Sequence, residues 1–345
     1  MPFGSKASQA RRAALAAIAA ETLSMTPSIC ASLPHLSPAA AATPFSLSSL
    51  AALDPSKSPC FPPAPIRVLP SDSFEAAISM PPAVLIKPGS TVTTFEAALK
   101  AAARNPANVV ETPLAARVAV LNMASEKNPG GGWLRGASAQ EEALCYRSTL
   151  ASSLDGSLYP IAPRAGLYTR DVVIFRTSSA DGHRLLTATA AAAAPEELPV
   201  VSVISVAGIR RPEVVRQSKE DGGGGRGGRG EMRFKHEGSR VLTMDKMRLC
   251  LRMAGTAGHT MLVLGALGCG AFRNPVQEVA RSWREVLGED EFRGWFKEVW
   301  FAVLDRRGEG NLEVFREVLE GRAVAEGAGE GEDEGGKREE AGAGS

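Results

Sequence analysis

The 345-residue chain carries 39 Lys and Arg against 38 Asp and Glu, a formal net charge of +1, and 44% of it is apolar. That near-neutral balance argues against a basic field of the kind that gathers nucleic acid, so no specific nucleic-acid partner is expected. Its length alone allows roughly two domains, a ceiling that biased, low-complexity segments lower.

The five cysteines, Cys30, Cys60, Cys145, Cys250 and Cys269, are odd in number and scattered. They form no C-x-x-C pair and have no histidine at ligand spacing, which argues against a disulfide framework or a zinc site and predicts a reducing, cytoplasmic or nuclear setting.

Residues 6–24 are alanine-rich, and Leu15, Ile18, Thr22 and Met25 lie near helical spacing. The segment is basic and free of acids until Glu21, so it reads either as a helix of the fold or as a mitochondrial transit peptide. No run reads as long and apolar enough to span a bilayer, and no signal-peptide core precedes a cleavage site, so no membrane contact is expected. From Thr26 to about Pro65 the chain is dense in Pro, Ser and Ala, which predicts an irregular insertion unable to bury enough surface to order itself. Short strands are expected at 66–69 and 83–87, a helix from Thr93 to Arg104, and an extended segment from Val109 to Pro113.

Val118, Ala119, Val120, Leu121 and Met123 form a run of β-formers that reads as a strand buried on both faces. Gly130, Gly131 and Gly132 follow, allowing backbone conformations closed to other residues and direct approach of a ligand to the main chain. Ser138 and Glu141 stand in the S-x-x-E spacing of a capping box, which predicts a helix starting at Ser138. Adjacent helical residues point about 100° apart, so only one of Glu141 and Glu142 can close that box. Glu141 is expected to close it and Glu142 to be the freer group. A glycine loop feeding a helix N-terminus favours phosphate.

The helix is expected to continue to Leu154, with Arg147 either solvated or paired to a carboxylate. Val172–Phe175 reads as a strand, residues 177–197 as an enlarged loop, and Val200–Val206 as a second continuous apolar strand. Asp221–Gly230 is Gly/Arg low complexity; it is read as a bland surface insertion, since no aromatic residue interleaves the arginines as stacking on RNA requires. A helix is expected over Val241–Met253, with His259 capping it or facing solvent, and a strand over Met261–Leu264. A second glycine loop follows, and Asn274 is expected to cap the next helix, with Pro275 at its first position and Gln277 closing the box. Val276, Val279, Ala280, Trp283 and Leu287 then share one face. A last strand over 299–304, a helix over 312–319 and an acidic, glycine-rich tail after about Gly321 complete the chain.

The glycine triplet, seven residues and then Gln140-Glu141-Glu142 resemble the signature of the microbial-type poly(ADP-ribose) glycohydrolases, which are macrodomain-like. Gly265-Ala266-Leu267-Gly268-Cys269-Gly270-Ala271-Phe272 resembles that family's second phosphate loop, and Ala19–Leu23 its opening helix, which places residues 6–24 inside the domain. The resemblance implies one α/β domain over residues 1–320, a mixed sheet between helices with insertions at about 26–65, 177–197 and 216–240, and an acidic tail over 321–345. Both glycine loops follow buried strands and precede helices, so they should meet at the carboxyl ends of the strands, where open α/β sheets bind ligands.

The implied activity is hydrolysis of the ribose–ribose O-glycosidic bond of poly(ADP-ribose) on modified proteins, with ADP-ribose as product and no metal or cofactor, by a monomer. The implied general acid is Glu142, with a pKa raised by burial and by its neighbour, and Glu141 orients the distal ribose. Gly130, Gly131, Gly132, Gly268, Cys269, Gly270 and Ala271 are expected along the diphosphate. Phe272 is expected against the distal ribose, and Gln140, Asn122 and Asn128 as further substrate contacts. The alternatives are a non-catalytic ADP-ribose reader, which should lack the acid pair, and a mono-ADP-ribosyl hydrolase. A P-loop nucleotide hydrolase needs a Lys-Ser/Thr after its last glycine, which neither loop has.

Overall fold

The computed structural model describes residues 6–34, 36–80, 117–186, 198–217, 230–306 and 308–325. The expected elements at 83–87, 93–104 and 109–113, the alanine run, most of the Gly/Arg segment and most of the acidic tail lie outside the described residues.

Nine strands are described: β1 (Thr43–Ser46), β2 (Arg67–Leu69), β3 (Val118–Met123), β4 (Ala165–Val173), β5 (Val200–Val206), β6 (Val214–Gln217), β7 (Glu231–Phe234), β8 (Met261–Leu264) and β9 (Glu298–Ala302). The helices are α1 (Lys6–Ala31), α2 (Ser73–Ser79), α3 (Gln140–Arg147), α4 (Leu150–Ser153), α5 (Glu237–Thr256), α6 (Val276–Leu287) and α7 (Asn311–Leu319). Seven strands make one sheet in the order β1-β4-β5-β3-β8-β9-β2, while β6 and β7 form a separate ribbon. The block from β5 to β2 is parallel, and β4 and β1 extend it antiparallel at one edge.

Both faces of the parallel block are covered, which is why its strands read as unbroken apolar runs. Side chains alternate across the sheet. Val118 and Val120 of β3 pack with Phe74, Leu144 and Tyr146 beneath α2 and α3. Ala119 and Leu121 pack with Met247, Leu251, Trp283 and Phe315 from α5, α6 and α7. The apolar stripe of α6 is fully spent, since Val279, Ala280, Trp283, Val286 and Leu287 are all buried.

The stretch expected to be irregular from Thr26 is instead built into the fold. α1 runs on to Ala31 through Pro27, β1 pairs with β4, and Leu33, Ala42, Leu50 and Leu53 are buried. A methyl group at Gly255 of α5 would lie 2.4 Å from Leu53, so this helix accepts the segment only where it has no side chain. The flanks of the Gly/Arg stretch are likewise paired, as β6 and β7.

α1 also corrects the expectation about membrane spans, for by length and composition it is long and apolar enough to cross one. Alanine gives it that hydropathy, yet Leu15, Ala19, Thr22, Thr26 and Ile29 are buried, and Thr22 Oγ1 donates to the Tyr146 carbonyl at 2.8 Å.

α3 stops at Arg147, because Ser148 is extended and bridges Ile174. Arg147 is the carboxylate partner rather than a solvated residue: 2% exposed, it pairs with Asp72 at 2.8 Å and with Glu75, and lies over the Phe74 ring. Asp72 is in turn the N-cap of α2, so one guanidinium joins two helices. His259 is buried rather than solvent-facing, bonded to Tyr168 Oη at 2.8 Å and the Arg117 carbonyl at 3.0 Å.

Truncating one member of a buried ion pair leaves the other charge uncompensated. Arg147→Ala is expected to lower unfolding free energy by about 3 kcal/mol, read from urea denaturation. A loss within the range of an ordinary surface substitution would contradict the joining role.

Candidate active site

β5, β3 and β8 are parallel neighbours, so their carboxyl-terminal loops emerge side by side: residues 124–136 after β3, 207–211 after β5 and 265–274 after β8. Gly208 and Gly268 bring two of them into backbone contact, since a methyl at Gly208 would stand 2.8 Å from the Gly268 Cα. The third is tied to β5 by the Ala124 N–H, which donates to the Val206 carbonyl at 3.1 Å.

The glycine triplet is a turn in which two of the three amides are already committed. Gly130 and Gly131 have φ of 64° and 63°, the left-handed region that favours glycine. Gly131 N–H donates to the Asn128 carbonyl at 3.0 Å, and Gly132 N–H to Glu142 Oε1 at 2.9 Å. The other oxygen of Glu142 accepts from Ala139 N–H at 2.8 Å. Glu142, and not Glu141, therefore reaches back over the helix N-terminus, and α3 starts at Gln140 rather than Ser138. The cause is the loop: its own Gly132 amide needs an acceptor, which only the third residue of the helix supplies.

Glu141 turns toward β3, where Ser125 N–H donates to Oε2 at 2.8 Å; its Oε1 is buried without a partner. Both carboxylates converge on Gly131, where a methyl would lie 2.5 Å from Glu142 Oε1 and 2.8 Å from Glu141 Oε2. Burial pushes the Glu141 carboxyl up to about 8, and the adjacent Glu142 charge adds to this against the Ser125 hydrogen bond. The burial that the sequence reading invoked acts here on Glu141, which accepts one backbone N–H where Glu142 accepts two. Cys145, one turn beyond Glu141, has its thiol pushed up by burial and by both carboxylates.

The loop after β8 is the opposite case. Among the described residues, the N–H groups of Gly268, Gly270, Ala271 and Phe272 meet no backbone acceptor, and a methyl at Gly270 would have nothing within 4 Å. Trp283 Nε1 on α6 donates to the Gly265 carbonyl at 3.2 Å, and Asn274 Nδ2 to the carbonyls of Ile209 at 2.6 Å and Gly268 at 3.0 Å. Asn274 is thus a brace between loops, and the residue capping α6 is Pro275. A concave run of free N–H groups suits an anion.

The other expected contacts divide. Asn122 is fully buried on β3, donating to Ser205 Oγ at 3.0 Å, with its Oδ1 unpartnered. Gln140 points inward: Oε1 accepts from Met123 N–H at 2.9 Å, and Nε2 donates to Ser73 Oγ at 3.0 Å and the Leu121 carbonyl at 2.8 Å. Both Nε2 hydrogens and one lone pair of Oε1 are used in holding α3 to β3 and α2, so Gln140 positions the acids and keeps a single lone pair on Oε1. The Cys269 side chain belongs to the core beneath its loop and its N–H to the Ala266 carbonyl; only the neighbouring backbone faces outward. Asn128 is exposed at the turn.

Sequence reasoning missed Ser125, Tyr159 and Arg210. The Tyr159 hydroxyl is buried without a partner, within electrostatic reach of Glu141, and pushed up chiefly by burial. Arg210 forms two bonds with Glu126 and lies over Phe272. Arg210 follows the end of a central parallel strand, a position that the rule for ligands in open α/β sheets singles out; Tyr159 carries no such signal.

The fold and the paired loops define an α/β protein in which a buried acid pair and a loop of unbonded backbone N–H groups follow neighbouring parallel strands. Residues 66–177 match the model of the catalytic domain of microbial-type poly(ADP-ribose) glycohydrolase. The chain is similar to the poly(ADP-ribose) glycohydrolase of Thermomonospora curvata, with 24% identity, coverage of 89% of this chain and 98% of that one, and a TM-score of 0.59. The same enzyme bound to the inhibitor ADP-HPD aligns at 25% identity over the same shares, with a TM-score of 0.58. The Deinococcus radiodurans glycohydrolase in complex with ADP-ribose aligns at 26% identity over 81% of this chain and 94% of that one, with a TM-score of 0.52. No curated protein sequence matched. Within residues 66–177 the chain thus carries the match to the microbial-type poly(ADP-ribose) glycohydrolase catalytic domain, and it shares the fold of these bacterial enzymes.

Glu141 titrates near 8 when folded against an ordinary 4.5. Between these values the folded state holds a proton that the unfolded state releases, so this contribution to stability is present at low pH and is lost as pH rises through the window. Melting curves should show the parent losing stability relative to Glu141→Gln from about pH 5 to about pH 9. Parallel curves would contradict the assignment.

Proposed function

We propose that the protein hydrolyses the ribose–ribose O-glycosidic bond of poly(ADP-ribose), releasing ADP-ribose, with Glu142 as the acid. The observation that carries this reading is the convergence of two buried carboxylates on Gly131, beside a loop whose free N–H groups suit a diphosphate. The substrate's diphosphate lies along Gly268–Phe272. Its distal ribose reaches down to the acids, where, among the described residues, Glu141 Oε1, Asn122 Oδ1 and the Tyr159 hydroxyl are buried polar atoms without a hydrogen bond of good geometry, the Asn122 amide lying close to Glu141. Ribose hydroxyls both donate and accept, so a diol satisfies such a set.

Cleavage follows from the pair. Two carboxylates this close and this buried retain one proton between them near neutral pH. Each oxygen of Glu142 accepts one backbone N–H and keeps a second lone pair, so Glu142 can carry that proton without leaving its seat. It passes the proton to the leaving ribose oxygen as the C–O bond breaks and an oxocarbenium-like centre develops. Water adds to that centre and returns a proton to the pair. Glu141 holds a ribose hydroxyl and fixes the sugar against the acid. We read the protein as a monomer acting on modified proteins in a reducing compartment, in keeping with five free cysteines.

Glu142→Gln can accept only one of the two N–H groups, so its melting temperature should fall; it should still bind ADP-ribose, read by calorimetry, and lose ~10²–10⁴ in turnover, the usual contribution of a general acid. Full activity in that variant, or a larger loss in Glu141→Gln alone, would move the acid elsewhere.

The two loops should respond differently. Gly270→Val places a side chain in open space above the free amides, so ADP-ribose affinity should fall while the melting temperature hardly changes. Gly131→Ala pushes into both carboxylates and strains a left-handed turn, so turnover should fall more than affinity. Equal binding by parent and Gly270→Val would show that the second loop is only a turn.

A further inference from the structure

A clasp of three side chains joins all three loops. Glu126, on the loop after β3, accepts Arg210 Nε at 2.6 Å and Nη2 at 2.9 Å. Arg210, on the loop after β5, has its guanidinium carbon 4.4 Å from the centre of the Phe272 ring, on the loop after β8. The next residue, Arg211, donates its N–H to the Phe272 carbonyl at 2.8 Å, so the loop after β5 holds both the ring and the backbone of Phe272. The Glu126 backbone is anchored separately, its carbonyl accepting Ile161 N–H at 2.8 Å. Hydrogen bonds from Arg210, aided by its charge, hold the Glu126 carboxyl below the usual range against its partial burial.

A half-exposed pair of this kind, with side chains 45% and 24% exposed, stabilises a fold little. Its geometry is nonetheless restrictive. A bidentate carboxylate fixes the plane of the guanidinium, and a guanidinium fixed in plane sets the orientation of an aromatic ring stacked against it. We propose that Arg210, oriented by Glu126, is a positioning residue for Phe272, fixing that ring and the amides beside it for the ribose-diphosphate part of ADP-ribose. The inference rests on the ADP-ribose reading of the cleft. The rival role for Arg210 is direct attraction of the diphosphate by its charge, with Phe272 uninvolved.

The two roles separate in a double-mutant cycle on the full-length chain, titrated with ADP-ribose and assayed on poly(ADP-ribose). Positioning predicts that Arg210→Ala weakens ADP-ribose binding roughly threefold to thirtyfold, the range for a stacked cation, and raises KM with kcat little changed. Arg210→Lys should be no better, since lysine keeps the charge and loses the planar fork. Arg210→Ala combined with Phe272→Ala should be no worse than Phe272→Ala alone, and melting temperatures should stay close to the parent's. Additive losses, rescue by lysine, or unchanged binding in Arg210→Ala would each overturn the inference. A parent chain that fails to bind ADP-ribose at all would instead overturn the functional reading beneath it.

Discussion

The structure depends on one side chain that closes a loop upon a helix. Glu142 accepts the Gly132 N–H with one oxygen and the Ala139 N–H with the other, spanning the return from the glycine turn to the start of α3. Without that double acceptor the amides of half-buried Gly132 and of exposed Ala139, where the helix begins, would both lose their protein partner, about 1 kcal/mol for each bond. The same bonds hold a carboxylate against the turn, beside Glu141, whose carboxyl burial pushes up to about 8. Local folding and acid placement are thus one interaction, which is why glycine is needed at position 131: both carboxylates occupy the room a side chain would take.

Around that fixed point the sheet sets the rest. Three adjacent parallel strands deliver three loops to one edge, and the loops divide the work. The first spends its amides on itself and on Glu142 and becomes a holder of carboxylates. The loop after β8 is braced from below by Trp283 and from the side by Asn274, leaving its own N–H groups outward. Gln140 ties the helix to the strand beneath, and Arg147 ties the far end of that helix to α2, so the acids sit on an element fixed at both ends. Preorganisation of this kind is what electrostatic and acid catalysis require, since groups that must move into place lose part of their effect.

Much of this was legible in the sequence, for identifiable reasons. β3, β5 and β8 are buried on two faces, which removes alternation and leaves apolar runs easily seen; α6 has one buried face and shows its period. The two glycine loops are local, so their existence and order could be read directly. What failed depends on contacts distant in sequence. β1 is a strand only because β4 offers an edge, and Leu50 and Leu53 are core only because α5 has Gly255 beneath them. The choice between Glu141 and Glu142 as capping residue turned on where the Gly132 amide points, which no spacing rule contains. Arg147 looked like a surface residue because its partners, Asp72 and Glu75, lie some seventy positions away. Arg210 shared no motif with Glu126 or Phe272, though its place after a central strand was a usable signal.

The most direct test of hydrolysis at this cleft is product identification after incubating the purified protein with poly(ADP-ribose) of defined length, and separately with a mono-ADP-ribosylated protein. Cleavage of ribose–ribose bonds predicts accumulation of free ADP-ribose and shortening of the polymer. Tight binding of ADP-ribose with no shortening of the polymer would mean that the acid pair is structural and the protein a reader; release only from the mono-modified protein would place the scissile bond elsewhere.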